Sequence, residues 1–83
     1  MPARTFFCTF PQVLIQEPIV SHTLNERFGV IPNIRSASIT DSKALVKVEI
    51  EGDLEAVDKA VAYMKERGVK VEELGANDER SLD

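Results

Sequence analysis

The sequence predicts an α+β fold: one four-stranded antiparallel sheet with two helices packed on a single face. Three observations carry that prediction. Residues 4–10 and Lys43–Glu51 alternate in character with a period of two, as strands with one covered face do. Leu54–Arg67 instead repeats its apolar residues at helical spacing, between Asp53 and Gly68. The chain has only 83 residues, too few for two cores, and two helices with one apolar stripe each can cover only one side of a sheet.

Each element follows from its residues. The first strand, residues 4–10, is rich in aromatic and β-branched side chains, with Phe6, Cys8 and Phe10 facing one way and Thr5, Phe7 and Thr9 the other. Pro11 ends it, having no N–H to give the ladder. Residues 13–16 form a connection that tucks Leu14 or Ile15 against the core. A helix starts at Pro18, just after acidic Glu17, and carries Val20, Leu24 and Phe28 as its stripe until Gly29 stops it. Pro32 separates this helix from a second strand, residues 33–40, and Asp41 and Ser42 make a tight turn into the third, Lys43–Glu51. There Val46, Val48 and Ile50 share one face, and Leu45, Lys47, Glu49 and Glu51 the other. Asp53 is placed to cap the second helix by accepting from its free backbone N–H groups. Leu54, Val57, Val61 and Met64 form that helix's stripe, with small Ala60 beside it for close packing. Glu55 and Lys59 stand four apart in the favourable order, Lys65 and Arg67 suit the negative end of the helix, and Gly68 terminates it. Residues 69–74 form a fourth strand. The domain therefore spans residues 1–75, and an acidic tail, 76–83, is expected to be disordered.

The order strand, helix, strand, strand, helix, strand is the ferredoxin-like βαββαβ sandwich. Short, uncrossed connections give it the strand order 4-1-3-2, with the second and fourth strands at the edges.

Charge is unevenly placed. Residues 72–83 carry five acids against the single base Arg80, which accounts for the whole net charge of −4; residues 1–71 hold nine acids and nine bases. A neutral body with no basic stripe argues against nucleic acid. The ferredoxin-like sheets that bind RNA stack bases on aromatics of the first and third strands; here Phe7 has no aromatic counterpart among Leu45, Lys47, Glu49 and Glu51. No run approaches the roughly 20 apolar residues that span a bilayer, and the N-terminus lacks a signal-peptide core, so a cytoplasmic protein is expected.

Catalysis, metals and cofactors are not expected. Cys8 and His22 are the only cysteine and histidine, and alternation puts Cys8 between Phe6 and Phe10, where it acts as a small hydrophobe. His22 and Glu26, four apart, offer two metal ligands where catalytic zinc takes three. No glycine-rich loop follows the first strand to cradle phosphate. What remains is surface. With the turn at Asp41 and Ser42, alternation sets Ile34, Ser36 and Ser38 on the face of Leu45 and Lys47, where Phe7 joins them. Phe7, Ile34 and Leu45 then form an exposed apolar patch suited to a partner or a second copy of the chain. The same alternation sends Arg35, with Ala37 and Ile39, to the helix-covered face.

The chain resembles the NIL domain, named for an Asn-Ile-Leu motif at the start of its second strand. The resemblance lies in EPIV (residues 17–20), RFGV (27–30), Asn33 and Ile34, and GVKVEELG (68–75), and it covers about residues 4–75. It implies the ferredoxin-like fold again. The family is best known as the C-terminal regulatory module of methionine-importing ABC transporter ATPases. There it is thought to bind methionine at or near a dimer interface. The chain carries no nucleotide-binding loop, so a free-standing domain is expected, and the resemblance together with the apolar patch implies a non-catalytic homodimer. It would sense methionine or a related amino acid through Asn33, Ile34 and Arg35. An alternative is a subunit that docks on a transporter or an enzyme of sulfur amino-acid metabolism. Arg35 stands where the motif has leucine; its guanidinium either reaches solvent past the covered face, near Glu17 or another acid, or grips a ligand carboxylate. Asn33 either holds a ligand's charged groups or caps the turn after Pro32.

Overall fold

The computed structural model describes residues 2–75; the acidic tail lies outside the described residues. Four strands form one antiparallel sheet: β1 (Ala3–Pro11), β2 (Ile31–Ile39), β3 (Lys43–Glu51) and β4 (Lys70–Leu74), in the order β2-β3-β1-β4. This is the ferredoxin-like arrangement, with β2 and β4 at the edges. Two helices, α1 (Leu24–Phe28) and α2 (Leu54–Arg67), lie on one face.

Alternation builds the core. Phe6, Cys8 and Phe10 of β1 and Val46, Val48 and Ile50 of β3 are buried, and Leu24, Val57, Ala60 and Met64 close over them from the helices. Leu54, expected in the α2 stripe, is 62% exposed instead. It is the first residue of the helix, ahead of the turn that first reaches the sheet. Asp53 precedes α2 but makes no side-chain cap; its backbone carbonyl accepts from Val57 N–H at 2.9 Å. Gly68 ends α2 at φ 107°, a left-handed conformation that a side chain resists.

The first helical segment is shorter and less regular than its sequence suggests. A 3₁₀ turn, Gln12–Leu14, follows β1, and a π-helical turn, Ile19–Thr23, leads into α1. In that turn Thr23 N–H reaches back five residues to the Pro18 carbonyl at 2.9 Å. Leu14, Ile19, Val20 and Leu24 are its buried residues, and Phe28 packs against Tyr63 of α2 at 5.5 Å between ring centres.

β2 differs from expectation at both ends of its logic. It begins at Ile31, so Pro32 lies inside the strand; the missing N–H is harmless on an edge. The hairpin to β3 closes without glycine because the Thr40 hydroxyl accepts from Lys43 N–H at 3.3 Å, beside the Thr40 N–H bond to the Lys43 carbonyl at 2.9 Å. Above the turn the register runs Ile39↔Ala44, Ser38↔Leu45, Ala37↔Val46 and Ser36↔Lys47. It then slips, because the next pair is Ile34↔Val48. Arg35 is therefore the extra residue of a β-bulge.

Candidate functional site

The bulge decides where the motif residues point. Residues directly opposed in an antiparallel pair share a face, so Ile34 shares the helix-covered face of Val48, and Asn33 the open face of Glu49. Two expectations are thereby corrected. Ile34 is not on the open face with Phe7 and Leu45, and Arg35 is not on the covered face with Ala37 and Ile39. Strict alternation fails at a bulge because one added residue inverts every assignment on its far side.

On the open face, Arg35 donates from Nη2 to Glu49 Oε1 at 2.7 Å, and Asn33 donates from Nδ2 to Glu51 Oε2 at 2.7 Å. These two contacts satisfy neighbouring acids of β3 from the edge strand. The acid that Arg35 meets is thus Glu49 and not Glu17, whose carboxylate accepts from Arg67 at 2.7 Å; Arg67 also donates to the Tyr63 hydroxyl at 3.1 Å. The three motif residues thus do not converge: Ile34 stands on one side of the sheet, Asn33 and Arg35 on the other. Phe7 and Leu45 do share the open face. Phe7 lies opposite Lys47, Thr9 opposite Leu45, so the two are diagonal neighbours, both half-buried.

Ile34 belongs to a different constellation, which sequence reasoning missed. The segment from the 3₁₀ turn to the π turn folds over the sheet beside β2 but does not reach its edge. A cleft of about 270 Å³ remains there. Its walls are Ile15, Ile19, Val20, Ile34 and Ile39, with Phe10 and Leu14 deeper in; Glu17 and Ser21 are the polar groups at the lining. Ile34 is 52% exposed and Ile39 66%, high values for branched apolar side chains. An apolar cleft with few polar groups suits an apolar side chain. The sequence signal for it was present in Leu14 and Ile15 and in Ile39, but joining them requires knowing that the π turn leaves the edge uncovered.

The reactive groups stand apart from this cleft. Cys8 is fully buried on β1, where desolvation pushes its thiol up to about 12. His22 and Glu26 make an exposed i,i+4 side-chain contact. Among the described residues no three His, Cys, Asp or Glu side chains gather as a metal-holding group, and no helix is long and apolar enough to cross a membrane.

An α+β sandwich of this topology with an apolar cleft at one sheet edge is a class of small ferredoxin-like domains. Within that class, the NIL domain profile matches residues 8–73. The chain belongs to the NIL domain family. Its fold is also that of the C-terminal domain of an ABC transporter ATP-binding protein from Enterococcus faecalis. The two superpose with a TM-score of 0.75 at 17% identity, over 89% of this chain and 86% of that one. No curated protein sequence matches the chain significantly.

Proposed function

We propose that the chain is a cytoplasmic, non-catalytic regulatory module, a homodimer that senses methionine or a related amino acid. The observation that carries this reading is the apolar cleft beside Ile34, a motif residue, in a member of the NIL family. The ABC transporter domain that shares the fold supports a regulatory role. Ile34, Ile39 and Ile19 would hold the ligand's apolar side chain, while Ser21 and Glu17 are the polar residues of the lining that could meet its head. Asn33 and Arg35 contribute from behind, by fixing β2 to Glu51 and Glu49.

Calorimetric titration with L-methionine and with analogues of altered side chain tests the reading. Saturable heat, with affinity reduced at least tenfold in Ile34→Asp, is expected. A ligand at a hundred times its Kd also raises stability by about 2.7 kcal/mol, which a melting curve reads. Absence of both heat and a melting shift at millimolar methionine rejects the methionine assignment.

A second reading has its own observation. Phe7 and Leu45 form a half-buried apolar pair on the open face, on which a transporter or a sulfur amino-acid enzyme could dock. If Phe7→Asp and Leu45→Asp leave partner capture unchanged, that surface is not used.

A further inference from the structure

We propose that residues 76–83 fold back over the open face of the sheet, setting Asp78 and Glu79 against Lys47 and Arg35, and Leu82 on Phe7 and Leu45. This goes beyond the sensor reading and names an occupant for the face that the helices leave bare.

Leu74 supplies the first argument. It closes β4 opposite Thr5 and therefore points to the open face. A leucine there is ordinarily wet on the side away from the sheet. Leu74 is only 6% exposed, yet it does not belong to the core cluster under the helices. Burial that deep on a face without helices needs a layer above it. The chain that continues from Gly75 starts at that point.

The route supplies the second argument. Gly75 and Leu74 line one end of a depression of about 580 Å³ along the open face, and Lys47, Glu49 and Arg35 line the other. Strands stand about 4.8 Å apart, so β4 and β2 are separated by roughly 14 Å across the sheet. Eight extended residues reach up to about 29 Å. Asp78 and Glu79, three and four residues beyond Gly75, arrive over the middle of the sheet. Leu82 then has three more residues in which to turn back toward Phe7 and Leu45.

Charge complementarity supplies the third argument. Residues 76–83 carry Asp78, Glu79 and Asp83 against the single base Arg80. On the open face Glu49 and Glu51 already accept from Arg35 and Asn33. Half-buried Lys47 makes no ion pair among the described residues. Arg35 gives one of its five donors to Glu49 and keeps the others. Positive charge is thus left over where the acids arrive. Glu72, on the same face opposite Phe7, repels those acids but suits Arg80. Leu82 is the large apolar residue of the segment, and Phe7 and Leu45 are the apolar pair of the face. A partner docking on that pair has to displace the segment first.

NMR of the full 83-residue chain is the test. A spin label on Ser81→Cys is selective, because Cys8 is fully buried. Amide signals of Thr5, Phe7 and Lys47 should broaden several-fold more than those of Lys59 and Glu66 on α2, equally at every protein concentration. Asp78→Asn with Glu79→Gln, or high salt, should cut that broadening at least twofold. The unlabelled chain gives an independent readout: the same double substitution should raise the rate of Lys47 acetylation by acetic anhydride at least threefold. Broadening confined to residues around Gly75, the behaviour of the disordered tail that composition predicts, overturns the proposal. So does broadening that grows with protein concentration, or a Lys47 acetylation rate untouched by the double substitution.

Discussion

The two edges of the sheet are defended in opposite ways. β4 is short and charged: Lys70, Glu72 and Glu73 lie along its five residues, and Arg4 of β1 clamps it to α2. That guanidinium donates to both Glu73 oxygens at 2.9 Å and to Asp58 Oδ1 at 2.8 Å. β2 is long, nearly uncharged and lined by Ile31, Ile34 and Ile39; Pro32 and the bulge at Arg35 interrupt its first half. Exposed strand edges invite pairing, and proteins that must not pair there use charge, short strands or bulges. Charge and shortness guard the whole of β4, whereas on β2 Pro32 and the bulged, charged Arg35 guard only its first half. The difference teaches that one edge is protected along its whole length and the other only in part.

The comparison can be broken first at the packing beneath each edge. Leu24 of α1 is fully buried in the core, so Leu24→Ala should cost about 3 kcal/mol in urea unfolding. Val71 on β4 is only half-buried, and Val71→Ala should cost about 1 kcal/mol. Equal losses would mean that the two halves of the sheet are packed alike.

The clamp on β4 is the next largest effect. Arg4→Met should cost about 1 kcal/mol, because the three charges are partly solvated. Hydrogen bonds from Arg4 hold the Glu73 carboxyl below its ordinary value of 4.5. A depressed folded-state pKa contributes stability above the unfolded value and loses it as pH falls through the folded one. Wild type should therefore lose its advantage over Arg4→Met as unfolding midpoints are measured from pH 6 down through the acid range. An advantage unchanged in acid rejects the clamp.

A smaller and more selective effect is expected at the bulge. Ile34 faces the covered side and Ser36 the open side, so deleting Arg35 joins two residues already in correct alternation. The deletion should change stability by less than about 1 kcal/mol and straighten the edge. Light scattering should then show larger and less uniform assemblies than wild type. Cys8, on the central strand, should show no change with either edge: at neutral pH its thiol, pushed up to about 12 by burial, reacts with iodoacetamide only when the whole sheet opens.

The sequence carried the sheet order and the core well because both rest on regular period. Phe6, Cys8, Val48 and Ile50 alternate without interruption, and α2 spans four turns. The candidate site was harder to read for the same reason. Nothing about Asn33, Ile34, Arg35 and Ser36 marks which one is extra, since the slip is defined by their partners Val48 and Lys47 on β3. Arg35 is a residue that a strand face accepts on either side when its stem can snorkel. The cleft needed a second non-local fact, that a π turn at Ile19–Thr23 stops short of the edge.

Amide hydrogen exchange of Ala37 and Ile39, followed by NMR against protein concentration, tests the central claim most directly. Their N–H groups face away from β3, so in the monomer they should exchange like those of an unprotected loop. If a second copy pairs along β2, both should become protected as concentration rises, while exchange along β4 stays constant. Free exchange at Ala37 and Ile39 in a sample shown to be dimeric, or new protection along β4, would contradict it.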